Sequence, residues 1–442
     1  MRLAIETEEA IAVATWQVFQ SSQVMEGQMR VLRVAWFLLL VLGSANAADA
    51  AAPLTFPGAA PCNTTLQACI TGASAGDTIQ IATNGPIAES PNVPKSLTIQ
   101  PAAGFVPVVN GSFFLSSTGT PADITVQNLT INGTVRGSPG TADLSVHILN
   151  NTISISGGFS VAIDVSSGTF PPYGNVTSEI RGNTVTVTGG GQGNQCIGIL
   201  GNAIIALNGP GEAMTADIIG NRVDATGTND GIECRNFQQA PNSTLDCRII
   251  NNLVTGQLSE AGFPGAIVVS ADGFSPITVQ VVNNTVANNQ GGIGVSARTD
   301  LGASITGVVA NNIIANSSSS GLFIDSSVAV SNNNNLLFHN GFNDFTPGPV
   351  TLHLNPKFVG GFHLASDSPA INAGSNAQVP PDITTDLDGN ARIQFSVVDI
   401  GAFETSVPGR EAAAIPTLSW PGQLAFLVAL IGLGASVLVR RA

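Results

Sequence analysis

Five polar side chains capable of acid–base or metal chemistry recur at one position of a repeated segment. The segment is marked by an asparagine that returns every 28 to 38 residues, as the intervals from Asn284 to Asn312 and from Asn183 to Asn221 show. Four residues before this asparagine, successive repeats have His147, Glu179, Asp217, Arg248 and Gln280. If the repeats stack at the spacing of β-strands, about 4.8 Å, two neighbouring carboxylates with arginines beside them would raise one carboxyl pKa or hold a calcium ion.

This column predicts either a catalytic face or a structural row of charges. Arg181 stands outside this column, two residues before its asparagine, and is added to it. The catalytic candidates are then Glu179, Asp217, Arg248, Arg181 and His147. A polysaccharide lyase, hydrolase or epimerase would use them as acid and base on an outward strand face. The alternative is an ordinary solvated ladder of alternating charge.

Two further observations weigh against a sugar-degrading groove. The other outward acids, Asp164, Glu233 and Asp325, lie two or more repeats apart, and we interpret them as surface residues. Sugar rings usually stack on Trp or Tyr. All three Trp fall in the predicted leader or anchor, and the single Tyr is Tyr173.

The recurring asparagine positions the column because it anchors a β repeat. The anchors are Asn151, Asn183, Asn221, Asn252, Asn284 and Asn312. Ile or Val stands three residues before and two residues after each of them, and a Gly-Ile-x-Val strand such as 292–295 follows. Uniform aliphatic residues at fixed offsets predict a common core and therefore an all-β fold, a right-handed parallel β-helix forming a single-stranded solenoid over 77–345. The anchor amides are predicted to stack as an internal ladder, whereas a propeller or sandwich would need shorter hairpin spacings.

The composition of the chain excludes several classes of protein. Of 442 residues, 43% are hydrophobic, 10% are charged and 5% are aromatic, with 49 Gly and 25 Pro. Such a chain is too apolar to be disordered and too poor in charge for a helical bundle. The net charge of −14 would repel a nucleic-acid backbone, so we predict no nucleic-acid partner.

The N-terminal region predicts export. Basic residues at 29–33 precede an apolar run over 34–42 and an Ala-x-Ala site ending at Ala47, which together describe a secretory signal at 29–47. Because a signal begins with its own Met, we take Met29 as the natural start and 1–28 as an upstream extension outside the natural protein.

The C-terminal region predicts a membrane anchor. A linker at 406–414 is followed by 415–442, in which 421–439 are uncharged, long enough to form a transmembrane helix, and closed by two arginines. The residues Ile415, Pro416, Thr417, Leu418 and Trp420 resemble the IPTL-CTERM sorting signals of Gram-negative bacteria. The resemblance implies membrane anchoring followed by processing by an exosortase-like enzyme, with the body of the protein in the cell envelope or at the cell surface.

Two further segments resemble known β-helix families. Residues 65–79 are predicted to form a short helix running into a strand, and they resemble the start of pectin-lyase-like proteins, which implies an N-terminal helical cap at 48–76. Near the far end, the motifs 386–392 (Asp-Leu-Asp-Gly-Asn-Ala-Arg) and 399–404 (Asp-Ile-Gly-Ala-Phe-Glu) resemble the tail of choice-of-anchor Q surface proteins, here 346–405. That resemblance implies location and architecture but supplies no reaction.

Five cysteines in an exported chain predict disulfide bonds. We predict that Cys62 pairs with Cys69, and among Cys196, Cys234 and Cys247 we favour Cys234 with Cys247. No cofactor is predicted.

The segment 386–390 partly resembles a calcium loop but lacks a third spaced ligand and a distal Glu. Turn chemistry explains its Asp-Gly-Asn residues, so no metal site is predicted there, and calcium is kept only as the alternative.

We therefore predict an exported, anchored or sorted surface β-helix without catalytic activity. Its role would be adhesion, matrix building or structure, with glycans or envelope proteins as partners. The alternative is a polysaccharide lyase, hydrolase or epimerase acting through the outward column.

Overall fold

The structure is a computed structural model. It describes residues 52–156, 161–166, 174–188, 195–201 (backbone only), 213–226, 230–236, 243–257, 265–271, 276–297, 302–341 and 348–406. The predicted extension, signal, sorting motif and membrane span at 1–28, 29–47 and 415–442 lie outside these residues. Within them, no helix has the length and hydrophobicity needed to cross a membrane.

Three parallel sheets run the length of the described chain. The first has eleven strands: Leu54–Phe56, Thr78–Ile81, Leu97–Pro101, Ala122–Gln127, Leu144–Leu149, Val176–Arg181, Ala213–Ile219, Thr244–Ile250, Pro276–Val282, Ser304–Ala310 and Ala329–Asn333. The second has ten: Pro86–Ile87, Val108–Val109, Thr130–Asn132, Thr152–Ser156, Thr184–Thr188, Arg222–Asp224, Leu253–Thr255, Thr285–Ala287, Ile313–Ala315 and Leu336–Phe338. The third has nine: Asn92–Val93, Phe113–Leu115, Val135–Gly137, Ile163–Ser166, Gln195–Gly201, Asp230–Asn236, Ile267–Ala271, Ile293–Ala297 and Leu322–Ile324.

Each strand pairs with the equivalent strand of the next coil, so the predicted all-β parallel β-helix is confirmed. The reason is the alternation of side chains along each strand. The aliphatic residues three before and two after each anchor asparagine are at most 2% exposed, and they form one continuous core with the inward residues of the third sheet. No coil can bury this face alone, which is why the coils stack.

A buried ladder of asparagine amides forms the corner between the first and second sheets. The Nδ2 of each anchor donates to the Oδ1 of the next, over 3.0 to 3.2 Å, from Asn151 through to Asn335. Each amide also bonds to the backbone of its neighbours: Asn252 Oδ1 accepts from the Asn221 N–H at 2.9 Å, and Asn252 Nδ2 donates to the carbonyl of Ile218 at 2.9 Å. The corner is thus satisfied entirely by protein groups, as a buried turn must be.

The residue before each anchor adopts a left-handed conformation. Asn150, Asn251, Asn283 and Asn311 have φ of 55–57°, and Gly182 and Gly220 have φ of 68° and 64°. Asn and Gly are the residues that tolerate this region. The Asn-Asn and Gly-Asn pairs of the sequence therefore mark the same turn in each coil, in which the residue before the anchor is left-handed.

A short helix, Leu66–Gly72, lies within the segment predicted as a cap. Thr65 accepts the Ala68 N–H at its N-terminus, and Leu66, Cys69 and Ile70 are buried in the same core as the first strands. Cys62 and Cys69 form a disulfide bond at this end.

The C-terminal segment 348–405 lies along the outside of the coils from Arg222 to Phe338. It contains the antiparallel pair Phe358–Val359 and His363–Leu364 and two 3₁₀ turns, Gly360–Phe362 and Asn376–Gln378. Its apolar residues pack on outward side chains of the first two sheets. These contacts include Ile383 on Ile219 and Ile250, Ile371 and Ile400 on Ile313 and Leu336, and Phe403 on Leu253.

The left-handed asparagines hold this segment from outside the corner. Asn251 Nδ2 donates to the carbonyl of Thr385 at 2.8 Å, and Asn283 Nδ2 to that of Asp399 at 3.0 Å. Asn311 donates to Ser375 and accepts from it, at 3.0 and 2.8 Å, and Asn334 donates to Ala373 at 3.2 Å.

The buried ladder predicts a large cost for removing one amide. Asn252→Ala removes the acceptor of the Asn221 N–H and Nδ2 groups and the donor to the Ile218 carbonyl, so we expect the free energy of unfolding to fall by about 3 kcal/mol. Asn132→Ala is the control, because Asn132 bonds Asn110 and Ser154 in a solvent-exposed row and should change stability by about 0.5 kcal/mol. Urea unfolding followed by circular dichroism measures both, and equal losses would contradict the structural role of the ladder.

Candidate functional site

The five predicted side chains form one column on the outer face of the first sheet. His147 is the register partner of Glu179, Glu179 of Asp217, Asp217 of Arg248 and Arg248 of Gln280. All five are half-buried. The structure therefore places the catalytic candidates on neighbouring coils, and Arg181 lies beside Glu179 on the same strand.

The upper part of the column is a closed set of ion pairs around Glu179. Its Oε2 lies 3.0 Å from His147 Nδ1, and its Oε1 accepts from Arg181 Nε at 2.7 Å. The other ring nitrogen of His147 lies 3.2 Å from Asp123 Oδ1. Partial burial would raise the pKa of Glu179, but the hydrogen bonds from Arg181 and His147 outweigh it and hold the pKa below its ordinary value. Glu179 is thus held as a carboxylate, which suits an ion pair better than a general acid.

The lower part of the column joins the sheet to the C-terminal segment. Arg248 Nη1 donates to Asp217 Oδ2 at 3.1 Å, and Arg248 Nη2 donates to both carboxylate oxygens of Asp382 at 2.6 and 2.7 Å. Burial would raise the pKa of Asp382, but the hydrogen bond from Arg248 outweighs this effect, so the pKa is lowered. Burial raises the pKa of Asp217, and the charge of Arg248 offsets this only in part. Because Asp382 comes from beyond the repeat, Arg248 serves as a link between two layers of the protein.

A second set of charges lies on the outer face of the third sheet. In the register of this sheet Arg136 pairs with Asp164, Asp164 with Gly198 and Gly198 with Glu233. Arg136 Nε lies 3.2 Å from Asp164 Oδ2, and Arg235 Nη1 lies 3.4 Å from Glu233 Oε1. Only 12% of the Asp164 side chain and 2% of the Glu233 side chain are exposed.

The interpretation of Asp164 and Glu233 as surface residues is therefore wrong. Their position on the outward face is as expected, but that face is covered at these two coils. Burial raises the pKa of Asp164 against the opposing charge of Arg136, and burial raises the pKa of nearby Asp230 to about 6. The sequence signal that was missed is Gly198, which leaves the coil between the two carboxylates without a side chain.

The cysteine pairs and the Asp386 turn also have defined places. Cys234 and Cys247, both fully buried, form a disulfide bond that joins the third sheet to the first. Asp386 Oδ1 accepts from the N–H groups of Asp388 and Asn390, and its Oδ2 accepts from the Glu404 N–H at 2.7 Å. The carboxylate that resembled a calcium ligand thus fixes the turn and the end of the C-terminal segment. No group of three or more potential metal ligands occurs among the described residues.

A histidine links the same turn to the short antiparallel pair within the C-terminal segment, and an arginine of the second sheet binds the same carboxylate. His363 Nε2 lies 2.5 Å from Asp388 Oδ2, and His363 Nδ1 lies 2.8 Å from the carbonyl oxygen of Gly360. The other oxygen of Asp388 accepts from Arg222 Nη2 at 2.5 Å, and the Phe403 ring lies against His363 at 4.3 Å between centroids. Both ring nitrogens face acceptors, so only the protonated imidazole donates to both. Partial burial of the imidazole would lower its pKa, but the hydrogen bond to Asp388 outweighs this effect. The pKa of His363 is therefore raised.

The comparisons with known proteins give a structural likeness but no family. No family model matches the chain, and no curated protein matches it. The crystal structure of pectate lyase Pel9A is similar over 80% of this chain and 96% of that chain, with 14% sequence identity and a TM-score of 0.40.

The His363 cluster predicts that the folding of the C-terminal segment around Asp388 weakens at higher pH. The pKa of His363 is raised from 6.5, so its stabilising contribution is complete below about pH 6.5 and is lost as the pH rises through the raised value. We expect hydrogen exchange at 356–392, corrected for intrinsic rates, to quicken between about pH 6 and 8.

The variant His363→Asn isolates this effect, because the raised pKa of Glu404 changes stability in the same direction. We expect His363→Asn to reduce the pH dependence and the control His339→Asn, directly after the last strand of the second sheet, to leave it unchanged. An unaltered pH profile in His363→Asn would show that the imidazole does not fasten the segment.

Proposed function

We propose that this protein is an exported surface β-helix that acts as a rigid rod in adhesion or matrix building, without catalysis by the outward column. The residues before 48 deliver it across the membrane, and the residues after 414 retain it in the envelope through a transmembrane helix and an exosortase-like enzyme. Its partners are glycans or envelope proteins.

One observation carries this proposal: the charges of the predicted catalytic column neutralise one another. Glu179 is bound by His147 and Arg181, and Arg248 bridges Asp217 and Asp382. A catalytic acid or base needs a proton that it can release or accept near the operating pH. Glu179 is fixed by its neighbours on the first sheet and Arg248 fastens the C-terminal segment, so we assign these groups a structural role in the rod.

The proposal is tested on cells that express the full chain. We expect a protease added to intact cells to remove the protein, and we expect the purified full chain to bind glycans or envelope material without producing unsaturated uronates or new reducing ends. Protection from the external protease would contradict the surface location.

The column itself gives a matched test. The double variant Glu179→Gln and Asp217→Asn should lower the free energy of unfolding by about 1 kcal/mol and leave binding unchanged, because partly exposed ion pairs contribute about that much. A glycan-degrading activity of the wild type that is lost in this double variant would overturn the structural reading of the column.

As a second candidate, we propose a glycan hydrolase or lyase acting from the third sheet. Asp164 has the raised pKa of a general acid, and Glu233 lies two coils away across Gly198, a separation of roughly 9.6 Å at strand spacing. That distance is close to the roughly 6.5–9.5 Å between the carboxyl groups of inverting glycosidases. Arg136 and Arg235 would bind an acidic sugar.

Asp164→Asn tests this candidate. If the full chain degrades a glycan, we expect Asp164→Asn to reduce kcat by about 100-fold or more, because a general acid contributes that much. The Glu179→Gln and Asp217→Asn variant then serves as the control, with unchanged kcat. Full activity in Asp164→Asn would remove the third sheet as the site.

A further inference from the structure

We infer that the C-terminal segment 348–405 acts as a mechanical clasp. When the C-terminus is pulled, the clasp transmits the tension to interior coils of the rod rather than to its last coil. The inference rests on the proposed function, in which residues beyond 405 attach the chain to the envelope. It concerns a different property, namely where a pull on that attachment enters the fold.

The last residues of the segment are bound to interior coils. Ala402 N donates to Thr285 Oγ1 at 2.9 Å, and Gly401 N donates to the carbonyl of Asn311 at 2.8 Å. Phe403 packs on Leu253, and the Arg222 guanidinium lies 5.4 Å from the centre of its ring. The described part of the segment therefore ends beside the coil of Leu253, three coils or about 14 Å before the coil of Leu336.

A buried ion pair locks this exit point. The side chains of Arg392 and Glu404 are 1% and 0% exposed and bonded to each other. Arg392 Nη1 also donates to Asn251 Oδ1 at 3.0 Å and Nη2 to the carbonyl of Asp399 at 3.2 Å. Separating this buried pair would leave an uncompensated charge inside the protein. A pull on residue 405 therefore acts directly on Glu404 and on this ion pair.

The rest of the segment distributes the load over several coils. Asp388 is tied to Arg222, Asp382 to Arg248, and Ser375 to Asn311. The segment also seals the last coil, where Leu352 accepts from Leu337 N at 2.8 Å and donates to the carbonyl of Asn335 at 2.9 Å. A bare solenoid is weakest at its ends, because a terminal coil contacts only one neighbour. The clasp moves the point of attachment away from that weak end.

Single-molecule pulling of the purified full chain, with handles at both termini, tests the inference. Release of 348–405 adds roughly 200 Å of extended chain, whereas one coil of the rod adds roughly 90 Å, so the two events are told apart by length. We expect the clasp to open at a force at least as high as that which removes single coils. A clasp that opens below the coil-peeling force would overturn the inference.

Matched glycine variants identify the bonds that carry the load. Asn283 and Asn150 occupy the same left-handed turn position, with φ of 56° and 55°, and of the two it is Asn283 that bonds to the segment, at Asp399 and Gly401. Glycine tolerates this conformation, so neither substitution strains the backbone. We expect Asn283→Gly to lower the opening force of the clasp and Asn150→Gly to leave it unchanged.

A second variant, Asp388→Asn, weakens the ties to Arg222 and His363 and should lower the same force. Equal forces in the wild type and in both Asn283→Gly and Asp388→Asn would overturn the inference. The pulling result does not depend on where the cell places the protein. Loss of surface exposure on intact cells would therefore contradict the proposed function while leaving the mechanical measurement interpretable.

Discussion

The buried row of asparagine amides is the constraint on which the rest of the structure depends. Each amide bonds to the amide and the backbone of the neighbouring coils, so the corner between the first two sheets contains a polar turn at no cost in unpaired groups. The turn has room for one residue before the anchor, and that residue must be left-handed. The chain can supply only Asn or Gly there without strain.

That one choice of residue then decides what the outside of the corner can do. At three of these positions, Asn251, Asn283 and Asn311, the amide points outward and holds the C-terminal segment. At Gly182 and Gly220 there is no such amide, and a cleft of about 260 Å³ lies between the corner and the segment. The same type of turn thus joins neighbouring coils on the inside of the corner and holds the C-terminal segment on the outside.

The repeat was predictable from sequence because its period is carried by every coil. A register fixed by the anchors also placed Glu179, Asp217 and Arg248 on neighbouring strands. Asn335 was missed as the last member of the ladder, since Asn332 stands where other repeats have Ile or Val.

The partners from outside the repeat could not be predicted in the same way. Asp382 lies 134 residues from Arg248, and the route of a non-repeating segment is set by contacts that leave no period in the sequence. Burial of Glu233 likewise depends on what covers the outward face, which the alternation of side chains along a strand does not report.

The balance between desolvation and neighbouring charge differs among the outward carboxyl groups. On the first sheet, hydrogen bonds from cations outweigh desolvation at Glu179, so its charge is stabilised and its proton is lost far below neutral pH. On the third sheet, desolvation outweighs the cation at Asp164, so its carboxyl is held closer to the neutral form. Residue type alone favoured the first face, because it has more charges on adjacent coils. Asp217 on the first sheet follows the same balance as Asp164, because burial raises its pKa more than the charge of Arg248 lowers it, so the balance differs from residue to residue rather than from face to face.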